Sequence, residues 1–206
     1  MYVQIGGRTY YLVTFLDEYS RLIVHHALVA SMDGITVSVE AQAAIERLLN
    51  EKGGEIPAGG MPRMRTDNGS CYISREFRGV LDEHQLGHQR IKPHCPEENG
   101  IIERSNRTLR EALDGAELTG LLQAQDVIAG IVRWYNEERL HSALGYLRPI
   151  DYYRGDPIAL HEQRRRKMAE ARHRRREKNL KVRQPTLPLE SLEGVANHKP
   201  EMSHCG

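Results

Sequence analysis

An α/β layered domain, with helices packed on a mixed sheet, is predicted by three features of the chain. Three short β-rich runs open it, apolar residues switch to helical spacing from about Val37, and two later strand-like runs alternate with helical stretches before a closing pair of helices. Tyr2 to Ile5 and Tyr10 to Asp17 flank Gly6-Gly7-Arg8, which reads as a hairpin turn. Leu22 to Ala30 follows the tight segment Glu18-Tyr19-Ser20-Arg21, so the three runs predict an antiparallel meander. From Val37 to Asn50 the residues Val37, Ala41, Ala44, Ile45, Leu48 and Leu49 recur at helical spacing, with Gly53-Gly54 as the stop. Gly59 to Pro62 is a turn leading into a strand over Met61 to Thr66. Ser74 opens a short helix to Glu83, its hydroxyl positioned to accept from an amide near Glu76 or Phe77. Leu86 to Ile91 is a further strand. Lys92 to Gly100 carries two prolines and a glycine and reads as a loop, and helices follow over Ile101 to Leu113 and Gln123 to Leu140.

The chain of 206 residues suits one domain with an extension, here residues 1–157 and 158–206. Hydrophobic residues make up 39%, and no apolar run approaches the roughly 18 residues of a membrane-spanning helix, which excludes a membrane protein. The first residues alternate apolar with polar, so no signal peptide is expected, and a reducing, cytoplasmic setting is expected with it. Cys71, Cys95 and Cys205 are too few and too scattered for a disulfide framework. The formal net charge of +1 hides an asymmetry: residues 161–206 hold twelve Lys and Arg against six Asp and Glu, while the preceding part is acidic. Arg165 and Arg175 lie in the densest stretch, 164–183, which points to a polyanion partner or, in the plainer reading, to a solvated helix or tail. This stretch has few large apolar residues and 184–206 has little to bury, so both are expected to be extended or disordered.

Two carboxylates stand at chemically suggestive places. Asp67 directly follows the strand ending at Thr66, and Glu103 lies in the first turn of the helix after the loop. On that helix Glu103, Arg107 and Arg110 share one face, while Ile101, Ser105 and Leu109 share another. Carboxylates on a strand end and a neighbouring helix suit divalent cations, which take hard oxygen ligands, and the arginines would meet phosphates. Asp-Asn-Gly is also a common turn, and an early helical Glu also favours the helix dipole.

The motifs that surround these acids resemble a known family. Thr66-Asp67-Asn68-Gly69-Ser70, then 35 residues, then Glu103 within Pro96-x-x-Asn99-Gly100-x-x-Glu103 resembles the second and third acids of the retroviral-type, Asp-Asp-Glu integrase core found in bacterial insertion-sequence transposases. Trp134-Tyr135-Asn136 through Arg139, His141, Leu144-Gly145-Tyr146 and Pro149 resembles the signature that closes this core, and Leu16-Asp17-Glu18-Tyr19-Ser20-Arg21 resembles its second strand and turn. The resemblance covers about residues 1 to 155 and implies a ribonuclease-H-like fold, a five-stranded mixed sheet with helices on both faces. It implies metal-dependent phosphodiester cleavage and strand transfer in DNA transposition, with Mg²⁺ or Mn²⁺ held by Asp67 and Glu103. It also implies DNA partners (element ends and target), a homo-multimer on DNA, and recognition helices that a separately encoded helix-turn-helix protein can supply.

Aligned on Tyr2-Val3, the family's first aspartate falls two positions ahead of Met1, so the chain is expected to be amino-terminally truncated and impaired as an enzyme, the alternative being a non-catalytic DNA-binding remnant of a mobile element. Asp17 is the nearest acid on an adjacent strand but matches a different family position. Asn99 fits either a helix cap or a group that orients Glu103 or DNA, and Gly100 is expected to give the loop freedom and let DNA approach. Arg139 and His141 fit phosphate contacts or buried hydrogen bonding, and Trp134, Tyr135, Leu140 and Leu144 are expected to pack the last helices on the sheet. His84, His88, His94 and Cys95 lack the spacing of a zinc site and read as surface groups, with His94 and Cys95 on the loop before Glu103.

Overall fold

The computed structural model describes residues 1–51, 61–93 and 95–183, and the expected stop at Gly53-Gly54, His94 and the segment 184–206 lie outside them. The chain divides into two compact units, Met1–Pro157 and Ile158–Gly206.

In the first unit β1 (Tyr2–Ile5), β2 (Arg8–Leu16) and β3 (Ile23–Val29) form the expected antiparallel meander. Gly6 and Gly7 turn the first hairpin at φ 53° and 77°, a left-handed pair that side chains with a Cβ resist. α1 (Gly34–Glu51) starts three residues earlier than the apolar spacing predicts, because the Asp33 carboxylate accepts from the Thr36 amide at 2.8 Å and caps the helix. β4 (Arg63–Thr66) and β5 (Gly87–Arg90) pair in parallel around α2 (Ser70–Ile73) and α3 (Arg75–Glu83). Ser74 caps α3 as expected, accepting from Phe77 N at 3.1 Å. A 3₁₀ turn over Pro96–Asn99 leads into α4 (Gly100–Leu113), then α5 (Leu121–Glu137), a second 3₁₀ turn at Ser142–Leu144, and α6 (Pro149–Arg154), which periodicity alone does not reveal in so short a segment.

This is the ribonuclease-H-like α/β order, and helices cover both faces of the meander. Val3, Ile5, Leu12 and Ile23 pack on Leu109 of α4 and on Ile128, Val132 and Tyr135 of α5. On the opposite side Phe15 packs against a second core formed by Val37, Ala41 and Ile45 of α1 with Phe77 and Leu81 of α3. The alternation of Leu12 and Leu16 against Phe15 along β2 is the two-residue period that serves two buried faces. The five strands are hydrogen-bonded as an antiparallel three and a parallel pair rather than as one continuous ladder.

The closing signature has a structural job. The Asn136 amide mimics a strand: its Oδ1 accepts from Ile23 N at 2.9 Å and its Nδ2 donates to Ile23 O at 3.0 Å, tying the end of α5 to the start of β3. Asn136→Ala unpairs both backbone groups and is expected to cost roughly 1–3 kcal/mol of stability in urea unfolding. Tyr135 and Leu144 are buried as expected, but Trp134 and Leu140 are 37% and 54% exposed. Tyr135 follows Ile128 and Val132 on the inner face, and Trp134 falls about 100° off it.

His141 is 8% exposed, its ring 4.8 Å from that of Tyr135. Burial, then the charges of Arg139 and Arg21, hold its pKa down at about 4, against a hydrogen bond to the Tyr135 backbone that works the other way. His141 is thus a buried ring with one nitrogen bonded to the backbone, while its Nε2 is buried without a partner among the described residues. Above the unfolded pKa near 6.5 the ring is neutral in both states and its contribution to stability is complete; as pH falls through the window from about 6.5 to about 4 only the unfolded chain takes the proton, and stability is lost. The loss attributable to His141 is on the order of 2–3 kcal/mol by the lower end, read as the difference between wild type and His141→Gln in urea titrations at pH 7 and pH 4.5.

The second unit holds most of α7 (Pro157–Arg183). The basic stretch expected to be extended or disordered is therefore helical up to Arg183. Sparse apolar residues predict the lack of a packed face, not the lack of a helix, and the stretch 158–183 contains no Gly or Pro and is rich in Arg, Lys, Ala and Glu, all good helix formers save for their need of solvent.

Candidate nucleic-acid and metal site

A cleft of about 670 Å³ opens between β2, β4 and the start of α4. Its floor is apolar, with Leu12, Val13, Ile45 and Met64, and its rim carries Asp17, Glu18, Asp67 and Asn99. Asp67 reaches this rim because β4 ends at Thr66, whose carbonyl accepts from Ile91 N at 3.0 Å and whose hydroxyl meets His88 Nε2 at 2.9 Å. The turn after the strand is built around the acid. Asp67 Oδ1 accepts from Gly69 N at 2.8 Å, and a Cβ on Gly69 would sit 2.9 Å from that same oxygen, so a larger residue there would push the carboxylate from its place. Asn68 Nδ2 donates to Ile91 O at 3.0 Å and fixes the turn to the segment after β5.

The loop before α4 is held on the same side. Glu98 Oε2 accepts from Lys92 N at 2.9 Å, and the Arg65 guanidinium pairs with Glu18 at 2.8 Å. Asn99, Ile102 and Asn106 form the stripe of α4 that lines the cleft. Asn99 occupies the cap position of α4 without a side-chain capping bond, so the reading as a helix cap is corrected: the amide faces the cleft instead. Gly100 has φ −58°, ordinary helix, so the loop freedom expected of it is not used; a Cβ there would meet open space. Glu103 is exposed, one residue beyond the lining Ile102 and one helical turn from Asn99, and it does not line the cleft. Arg107 continues that outer edge and pairs with Glu111 at 2.9 Å, and Arg110 is exposed close enough to Met1 to lower the pKa of its amino group, after burial.

Of the two acids, Asp67 lines the cleft, and Glu103 lies on α4 one residue beyond the lining Ile102. As metal ligands they are a partial set: Asp67 commits Oδ1 to Gly69, and among the described residues no group of three His, Cys, Asp or Glu side chains stands close enough to hold an ion. Asp17 lines the same cleft, but its Oδ2 accepts from both the amide and the hydroxyl of Ser20, which makes it the organiser of the β2–β3 turn. His84 and His88 are engaged with Gln42 at 2.9 Å and with Thr66, consistent with a structural role. Arg139 stacks its guanidinium 5.9 Å above the Tyr135 ring, and Arg165 and Arg175 are exposed on α7. Asn106 is the site residue that the sequence reading passes over; its signal is the i, i+7 spacing from Asn99, and its Oδ1 lies 3.5 Å from Thr14 Oγ1 of β2.

Two integrase core domain models match the chain, over residues 1–96 and 84–149, and together they span the strands, the cleft and the closing signature. The chain belongs to the integrase core family. This integrase core is 35% identical over 143 residues to the insertion element IS476 uncharacterized 39.2 kDa protein of Xanthomonas euvesicatoria, covering 68% of the chain and 38% of that protein. It is 33% identical over 145 residues to transposase InsD for insertion element IS2A/D/F/H/I/K of Escherichia coli, covering 69% of the chain and 47% of the transposase. The chain therefore spans less than half the length of these two relatives. In fold it is similar to the HTLV-2 integrase catalytic core domain solved in complex with magnesium in a dimeric form, with TM-score 0.53, 16% identity, and coverage of 75% of this chain and 91% of that one. Family membership ties the integrase core to DNA transposition and integration in general. Among the described residues no helix is long and apolar enough to cross a membrane.

Proposed function

We propose that this integrase core serves phosphodiester cleavage and strand transfer in the transposition of an insertion sequence, with Asp67 and Glu103 as two members of its carboxylate set. The observation that carries the reading is the placement of Asp67: a strand-end carboxylate at a cleft rim, with Oδ1 held by a glycine amide, on the same cleft that Asn99 lines at the head of the helix carrying Glu103. Mg²⁺ or Mn²⁺ in such a set would lower the pKa of an attacking water or hydroxyl and steady the charge on the phosphate. The described residues contribute their part through position: Gly69 aims Asp67, Arg65 and Glu98 hold the loop that delivers α4, and Gly100 leaves open space at the helix start. Arg107, Arg110, Arg139 and Arg165 bind the DNA backbone of element ends and target, Arg175 also contacts the DNA, and the protein works as a homo-multimer on DNA, with a helix-turn-helix segment or a separate helix-turn-helix protein as recognition partner.

The test is Mg²⁺-dependent strand transfer on a labelled duplex by this chain, beside a chain extended upstream through an aspartate two positions ahead of Met1. Joining by the extended chain that far exceeds joining by the short one supports the reading. Equal joining refutes the role given to the additional acid, and joining by neither chain, with DNA bound, favours the DNA-binding remnant.

A further inference from the structure

We infer that α7 is a major-groove helix for duplex DNA, with two cationic ridges for the opposing phosphate walls and Arg175 and Asn179 turned toward the base edges. This rests on the reading that the chain acts on DNA, and it concerns α7 alone. At about 100° per residue, Arg165, Arg172 and Arg176 fall on one line along the helix, and Lys167, Arg174 and Lys178 fall on a second. Both lines have the same spacing, seven residues and then four, and they stand roughly 160° apart around the helix. Midway between them runs a third line, Arg164, Met168, Ala171, Arg175 and Asn179, on which Arg164 is half-buried and engaged in contacts of its own. The three acids, Glu162, Glu170 and Glu177, all fall on the side opposite that third line. Arg166, which shares the acidic side, lies 3.8 Å from Glu162, and His173 lies 3.6 Å from Glu177.

A helix resting on a flat polyanionic surface needs its cations in a single stripe. Ridges on nearly opposite flanks cannot both reach such a surface, but the two walls of a groove meet both. The B-form major groove is about 12 Å wide and admits a helix of roughly 10–12 Å, whereas the minor groove, at about 6 Å, does not, and neither does the deep, narrow major groove of duplex RNA. From Arg165 to Arg176 the helix rises about 17 Å, or roughly five base pairs. That is a length a straight helix can follow before the groove curves away. On the floor-facing line Arg175 and Asn179, one turn apart, are the side chains able to pair with guanine and adenine edges, and Met168 supplies an apolar contact at 47% exposure. The acids face solvent, where they meet no phosphate.

The experiment is a salt titration of duplex binding by the full chain, with three sets of substitutions and with helicity checked by circular dichroism. R165A/R172A/R176A and K167A/R174A/K178A are each expected to flatten the slope of log affinity against log salt by about 2–3, since each removes three phosphate contacts. E162Q/E170Q/E177Q is expected to leave the slope unchanged. Methylation of guanine N7 is expected to weaken binding while a minor-groove ligand does not compete, and R175A/N179A is expected to erase the base preference obtained by selection from random duplexes. The inference is overturned if only one ridge alters the slope, which is the mark of a helix lying along one strand, or if N7 methylation has no effect. Binding that survives with its slope untouched by either ridge overturns the inference alone; a chain that binds no DNA at any salt overturns the underlying reading as well.

Discussion

Asp67→Asn lowers Mg²⁺-dependent strand transfer by about 10³-fold or more when assayed in the upstream-extended chain, with thermal stability within a degree or two of the parent. The amide oxygen of asparagine still accepts the Gly69 N–H that closes the turn, so the backbone around it keeps its form. The negative charge and one anionic ligand are lost. Metal ions supply several kcal/mol of charge stabilisation in an in-line phosphoryl displacement, and each 1.4 kcal/mol or so is worth tenfold in rate, so the expected loss corresponds to about 4 kcal/mol, the larger part of that stabilisation. Glu103→Gln should behave alike. An Asp67→Asn chain that joins strands at the parental rate would remove Asp67 from the chemistry.

Phe77→Ala is expected to cost about 3–5 kcal/mol and to lower the melting temperature by on the order of 10 °C, the largest stability effect of any single substitution considered. Phe77 is fully buried between α1 and the β4–β5 pair, in the core with Val37, Ala41 and Ile45. Its ring lies 5.3 Å from that of Tyr72 and 5.5 Å from that of His88. Truncation leaves a ring-sized void that α1 and α3 cannot close, because Gly34 at the head of α1 already approaches Ser74 so tightly that an added Cβ would lie 2.6 Å from it. The damage reaches the cleft, since His88 holds Thr66 and Thr66 precedes Asp67. Phe77→Leu, which retains much of the volume, should recover most of the loss in denaturant unfolding.

The sequence made legible whatever rests on local signals. The Gly6-Gly7 turn, the Ser74 cap and the inner face of α4 with Ser105 and Leu109 follow from turn chemistry and periodicity, and the structure has them where expected. The strand-end position of Asp67 was readable because the turn after it is written in Asp-Asn-Gly. What could not be read depends on neighbours distant in the chain. Trp134 is as apolar as Tyr135, and only the direction from which the sheet meets α5 decides that one is buried. Asn99 is a good capping residue that makes no capping bond and lines the cleft. The helicity of α7 was hidden for a different reason: burial is the usual argument for a helix, and this one forms by propensity with little to bury.

The division of the strands into two ladders bears on how the isolated polypeptide behaves in the test tube. Among the described residues β2 from Val13 to Leu16 pairs with β3 alone, and β4 pairs with β5 alone. Unpaired backbone next to an apolar floor is a template for intermolecular β-pairing. Preparations of this polypeptide should therefore self-associate and precipitate as concentration rises, and a short extended peptide added in trans should keep them clear.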